Sequence, residues 1–398
     1  MKAESWPALA AIFLRFLRFG LLAWGGPVAQ IAMIKRELVE EEQWLTPERF
    51  NRLLAVYQVL PGPEAHELCV HLGMMKRGRV GGLLAGLGFM LPGLLLVLGI
   101  AWLYQALDLR QPVIAALFLG IQIGVVALIV RAVHRIGEHA LLRPSLWAVA
   151  AASALASWLG VSFWIILPAA GAVHALAASG RTALAAAVAA GAAALAVWTA
   201  GPSAFETAAI TGAVATEPVG AAALFLSGLK AGMLTFGGAY TAIPFVRDDA
   251  VARGWVSDGQ FLDSLALSGI IPAPLIIFAT FVGYLAGGLT GALAITAGIF
   301  LPAFGFALLF YDRLERVIED ERLHRPLEGV AAGVVGLIAV TAVQLGSSVA
   351  LAVPSIILGA AIFAASLALL YWWKSKLNVL GVVAGSALAG LLFGLGWP

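Results

Sequence analysis

Leu60-Pro61-Gly62-Pro63-Glu64-Ala65-His66-Glu67 interrupts an otherwise apolar run, and the fold turns on how it is read. Two prolines around a glycine cannot continue a helix, because each lacks a backbone donor and crowds the preceding turn. Helix breaks and charges at membrane depth are costly and mark sites. A related stretch, Ile271-Pro272-Ala273-Pro274, follows 211 positions later. We read the two breaks as halves of one site.

The surroundings are those of a bilayer protein. Of 398 residues, 61% are hydrophobic and 12% charged, against about 45–50% and about 25% in soluble domains. Runs such as 113–130, 147–178 and 377–395 have helix length and lack strand alternation. The Gly and Ala content suits closely packed helices. No cleavable leader is expected, since the first apolar stretch carries Arg15 and Arg18. Cys69 is the single cysteine, so an internal disulfide is excluded and a thiolate metal centre disfavoured. A net charge of +2 with no basic run gives no sign of nucleic-acid binding.

The halves repeat. Arg18, Gly20, Gly25 and Gly26 match Lys230, Gly232, Gly237 and Gly238 at an offset of 212. Trp44, Phe50, Pro61 and Pro63 match Trp255, Phe261, Pro272 and Pro274 at 211, and Gly73, Gly78, Gly81, Gly88 and Pro92 match Gly283, Gly288, Gly291, Gly298 and Pro302 at 210. Chance apolar similarity does not hold Gly, Pro and Trp in register over so long a stretch. The expected organisation is a first repeat over 1–180, a connecting segment over 181–217 and a second repeat over 218–398.

Candidate crossings fall at 8–29, 50–74, 80–105, 112–130, 144–159, 161–179 and 183–200, then at 219–238, 260–280, 284–310, 326–344, 350–372 and 378–396. The fold class expected is an all-α membrane protein of about 13 segments (6+1+6), with helices broken at the Pro-X-Pro motifs. This count places 16 Lys/Arg inside, five outside (Lys35, Arg36, Arg49, Arg52 and Arg110) and three in the membrane (Arg15, Arg18 and Lys230). The positive-inside rule then favours inverted halves, with the N-terminus inside and the C-terminus outside. If both Pro-X-Pro segments were re-entrant, the asymmetry would shrink on this scheme. Between Lys35 and Arg52, Thr46-Pro47-Glu48 reads as a helix start and Trp44 as an interfacial anchor.

Arg18 and Lys230 hold equivalent positions, and two buried cations in register suggest a shared anion; pairing with carboxylates would explain them too. Arg15 has no counterpart and reads as a snorkelling side chain. Gly25, Gly26 and Pro27, with Gly237 and Gly238, would end helices and present free amides to an oxyanion, or simply let helices pack closely. Pro61, Gly62, Pro63, Pro272 and Pro274 are hinge candidates. Glu64, His66 and Glu67 are proton-relay candidates with no titratable counterpart in 272–279. A metal reading of His66, Cys69 and His71 fails because His71 faces away from the other two on a helix. No nucleotide loop or catalytic constellation is present, so neither an enzyme nor a cofactor is expected.

The ordered motifs WGGPVAQIA, ELVEEEQWLTPERF, LPGPEA and GGLLAGLGFMLP, followed by LTFGGAYTAIPFV, GWVSDGQFLDSLAL and FVGYLAG, resemble the chromate ion transporter family in its long two-domain form. The resemblance implies a multi-pass carrier of the inner (plasma) membrane that exports chromate, with sulfate or another small anion as the other candidate. It also implies thirteen crossings in opposed halves. The partners expected are a small inorganic oxyanion and the bilayer, with a homodimer left open. His66 and Glu67 stand where many members of that family have glutamines, and Ser268-Gly269-Ile270-Ile271-Pro272-Ala273-Pro274 stands where many have a polar stretch ending in a Pro-Gly-Pro motif.

Overall fold

The computed structural model describes residues 6–58, 60–107, 111–200, 219–236, 238–309, 321–375 and 377–394. All regular structure among them is helical, apart from one isolated antiparallel bridge. A chain this apolar satisfies its backbone groups within helices, because lipid offers them no partner. In the first half the helices are α1 (Trp6–Leu21), α2 (Gly26–Ile34) continuing into a π turn (Lys35–Glu41), α3 (Pro47–Tyr57), α4 (Glu64–Ala106), α5 (Pro112–Ala140), α6 (Pro144–Trp158), α7 (Phe163–Ala178) and α8 (Thr182–Ala200). The second half has α9 (Ala221–Leu234), a 3-10 turn (Ala239–Ala242) leading into α10 (Ile243–Ala250), α11 (Asp258–Gly269), a 3-10 turn (Leu275–Ile277) leading into α12 (Phe278–Leu309), then α13 (Glu321–Ala352), α14 (Ile356–Trp372) and α15 (Asn378–Gly394).

The chain forms two compact units that cut across the sequence repeats. One comprises Met1–Leu128, Val214–Arg313 and Leu345–Pro398, the other Ile129–Ala213 and Leu314–Gln344. In the second unit, α13 packs on α6 and the residue leading into it through Leu141, Leu146, Ala150, Ala332 and Val335, and on α7 at Gly171. Glycine makes the close approach possible: a Cβ on Gly171 would sit 3.0 Å from the Pro326 carbonyl.

The duplication is visible in the first unit. Helix α4 does not run straight: Arg77 (φ −142, ψ 33) and Gly78 (φ 60, ψ −161) reverse it, and α12 reverses at Gly287 (φ −146, ψ 23) and Gly288 (φ 62, ψ −156). Gly78 and Gly288 hold a left-handed conformation that side chains disfavour. A Cβ on Gly81 would lie 2.6 Å from the Gly73 carbonyl, whereas eight residues of straight helix span about 12 Å. Each of these helices is therefore two antiparallel arms. The second arms pack on equivalent helices, Gly88 against the Phe13 carbonyl of α1 and Gly298 against the Phe225 carbonyl of α9. The two second arms also meet each other and run antiparallel, with Gly82 on Leu308 and Gly86 on Phe304.

Segment 8–29, expected as a crossing, folds back, and 50–74, expected to break at its Pro-X-Pro motif, folds back at that break. After α1 the chain turns at 22–25, where Gly25 has φ 87, and the returning α2 and π turn bring Glu37 to Arg18 at 3.2 Å and to Arg15 at 3.3 Å. Helix α3 begins as expected at Pro47 and runs antiparallel to the first arm of α4. Trp44 at its start lies under the Lys76 ammonium, 4.7 Å from the ring centre, and the Tyr57 hydroxyl at its end meets His71 Nδ1 at 2.7 Å. Positive-φ glycines and flanking prolines close each tip, a reversal that hydropathy averaging over a window cannot register.

Candidate functional site

Four chain reversals meet in the first unit, at 22–25, 60–63, 235–236 and 270–274, two from each repeat. Gly62 N–H donates to the Thr235 carbonyl at 2.8 Å, and Pro61 and Phe236 form the isolated bridge. Gln30 ties the other two together, its Nε2 donating to the carbonyls of Ala23 and Ala273, each at 3.0 Å. A Cβ on Gly93 would sit 3.2 Å from Ala273 Cα, so the second arm of α4 closes directly on that tip.

A small cavity lies among the tips, lined by Pro27, Gln30, Pro63, Glu64, Ala65, Ala239, Pro274 and Leu275. Every one of these residues belongs to the first turns, or to the residue just before them, of a helical segment leaving a tip: α2, α4, the 3-10 turn before α10 and the 3-10 turn before α12. Neither α2 nor α4 has a side-chain cap at this end. The first amides of a helix have no partner within it, and the aligned peptide dipoles place partial positive charge there. The helix starts therefore turn backbone amide dipoles toward the cavity, beside the carboxyl group of Glu64. Its polar side chains are Gln30, 1% exposed with Oε1 lacking a hydrogen-bond partner, and Glu64.

The expected site residues divide. Pro27, Pro63, Pro274 and Glu64 line the cavity, while Pro61, Gly62 and Pro272 form the tips behind it. Gly25 and Gly26 supply the turn into α2, with φ 87 and 76, and Gly238 (φ 120) supplies the turn into the second-repeat hairpin. Gly237 lies outside the described residues. His66 packs between Phe300 and Phe304, with ring centres 4.9 and 4.7 Å away, and Glu67 is fully buried behind the tip.

Arg18 and Lys230 do not line the cavity. Each is bound to a carboxylate on the returning limb of its own hairpin: Arg18 to Glu37 at 3.2 Å, and Lys230 to Asp249 at 2.7 Å and Asp248 at 3.6 Å. Glu37 and Asp249 are themselves 212 positions apart, so the ion pair is duplicated along with the helices. In this geometry each cation is paired with a carboxylate, the second of the two explanations the sequence leaves open. Arg15 is also held, by Glu37 and Glu42 and over the Phe19 ring. Sequence reasoning missed Gln30, Glu37 and Asp249. The last two carried a signal, being one of the few acidic pairs in register across the repeats.

These features define a polytopic helical membrane protein whose two related halves bring broken helices to a shared cavity. The profile of the chromate transporter family matches residues 10–176 and 222–391, one stretch in each half, and the chain belongs to that family. It is 60% identical to a chromate transport protein of Pseudomonas aeruginosa over 388 residues, covering 98% of this chain and 92% of the relative. It is 29% identical to a chromate transport protein of Cupriavidus metallidurans over 96% of this chain and 93% of that one. An uncharacterized transporter of Methanocaldococcus jannaschii is 27% identical over 98% of this chain and 96% of its own length. No solved structure matches the fold.

Proposed function

We propose that this protein is a secondary carrier that exports chromate, or a similar tetrahedral oxyanion such as sulfate, across the inner membrane. The observation that carries this reading is the cavity lined by the first turns of four helical segments leaving the tips. Helix N-termini suit an oxyanion without a formal cation, and a site of modest depth releases its ion more readily than one built on arginine. Family membership and the chromate-transporting relatives support the choice of ion. The membrane potential is sufficient as a driving force: a dianion moving outward gains about 4.6 kcal/mol per 100 mV, twice the value for one charge.

The geometry supports nine crossings rather than thirteen. With the N-terminus inside, α1–α2 and α3 with the first arm of α4 are re-entrant hairpins, and the second arm of α4, α5, α6, α7 and α8 cross. Five crossings start α9 outside, so the second half is inverted, in keeping with the antiparallel second arms of α4 and α12. Four more crossings, the second arm of α12 and α13 to α15, leave the C-terminus outside. Among the described residues this puts 14 Lys/Arg inside and only Arg247 and Arg253 outside, with Arg15, Arg18 and Lys230 within hairpins. Making all four hairpins re-entrant sharpens the positive-inside asymmetry instead of weakening it.

The test is flux in proteoliposomes under an imposed potential. Chromate movement that follows the potential, and that sulfate and other oxyanions inhibit in proportion to their resemblance to chromate, supports the reading. Absence of any oxyanion flux at every potential sinks it.

A further inference from the structure

Glu67 stands one turn into the first arm of α4, wholly buried, with neither carboxyl oxygen hydrogen-bonded. It is aimed into the 60–63 tip: a Cβ on Gly62 would lie 2.6 Å from its Oε1. Gly62 is also the residue that binds the opposing tip through Thr235, and its neighbours Pro63 and Glu64 line the cavity. An ionised carboxylate there would be a dry charge without a donor, among the costliest arrangements a protein can hold. It would also set a negative charge directly behind the wall of an anion cavity.

Among the described residues no cationic side chain is hydrogen-bonded to Glu67. On its own arm of α4 the titratable groups are Glu64, His66, Cys69 and His71, with Lys76 and Arg77 at the far end of the arm. Helix α3 contributes Tyr57 and Arg49, both of which act on His71 further along. The second arms of α4 and α12 present Phe89, Phe300 and Phe304 around His66, and the opposing tip presents the Thr235 backbone. Glu64 is the charge that acts on Glu67 directly, and it is of the same sign.

We propose that Glu67 carries one proton together with each oxyanion. The proton binds a Glu67 oxygen from the inside solution, loss of the Glu67 charge lets the anion enter the cavity beside Glu64, and both are released on the outer side. This rests on the carrier reading above and adds a stoichiometry to it: a dianion moves with net charge −1 rather than −2.

The experiment measures reversal potential and internal pH in proteoliposomes of the full chain, wild type and Glu67→Gln. Glutamine imitates the neutral acid, so Glu67→Gln should carry a chromate flux that moves no protons. Its reversal potential should respond to the chromate gradient half as steeply as that of the wild type, because two charges move instead of one. Wild-type flux without proton movement overturns the proposal, as does proton movement that persists in Glu67→Gln. Infrared spectroscopy of the purified carrier gives a readout independent of flux and so of the carrier reading. A carbonyl-stretch band of a dry carboxylic acid should be present in the wild type and in Glu64→Gln and be lost in Glu67→Gln, whether or not that variant transports. Its presence in all three, or its absence from the wild type, rejects Glu67 as the proton site.

Discussion

Gly62 N–H and the Thr235 carbonyl are joined at 2.8 Å, although one belongs to the reversal after α3 and the other to the reversal after α9. The bond links the second hairpin of the first repeat to the first hairpin of the second. By the repeat relationship, the complementary junction is the one between Ala23 and Ala273, and there the Gln30 side chain does the bridging. One crossing of the tips is made by backbone alone, the other by an amide that only the first repeat carries.

Gly62→Ala should disable the protein. The position has φ 148, and an added Cβ would meet the Glu67 carboxyl at 2.6 Å. Strain of this type costs about 1–3 kcal/mol. Thermal unfolding in detergent should show the loss, while Gly99→Ala, with nothing within 4 Å of the new Cβ, should be neutral or slightly stabilising. Equal midpoints for the two variants would contradict the tip geometry.

Gln30→Ala removes the donor shared by two tips. Two buried carbonyls then lose a partner, at about 1–3 kcal/mol each before any water enters. Chromate flux should fall at least about tenfold, the equivalent of about 1.4 kcal/mol. Gln30→Glu should be worse for anion affinity than for stability, since it adds a negative charge to the cavity wall. An unchanged KM in Gln30→Glu would argue that the anion passes elsewhere.

The duplicated ion pairs should behave as staples. Lys230 is 14% and Asp249 3% exposed at the side chain, whereas Arg18 is 55% exposed and Glu37 keeps Arg15 nearby. Lys230→Met should therefore destabilise more than Arg18→Met, by up to about 3–5 kcal/mol where a buried partner is stranded. Arg253 still reaches Asp249 at 3.0 Å and will soften the effect. The double change Lys230→Met with Asp249→Asn should recover much of the loss and leave chromate KM near its original value. If KM rises sharply while the fold recovers, Lys230 is an anion ligand after all.

Cysteine labelling separates nine crossings from thirteen. In a Cys69→Ala background, a cysteine at exposed Glu41 should react with an impermeant maleimide only in inverted vesicles, and one at exposed Arg253 only in right-side-out vesicles. The thirteen-segment count predicts the opposite at both positions.

Much of this was legible in the chain itself. Composition determined a helical membrane protein, and the Gly, Pro and Trp register determined the duplication, because both depend only on residue type and spacing. The offset of 210 even identified Gly78 and Gly288, whose left-handed conformations reverse the two long helices. Tertiary structure alone decided the rest. A hydropathy window cannot distinguish a segment that crosses from one that enters and returns, since both are apolar over the same length. Nor could it say that Arg18 and Lys230 spend their charge on Glu37 and Asp249, because those partners come into reach only once each hairpin has closed. The Pro61–Pro63 break was readable as a break; that it faces Thr235, and that the outgoing helix starts share one cavity, required four reversals distant in sequence to be brought together in space.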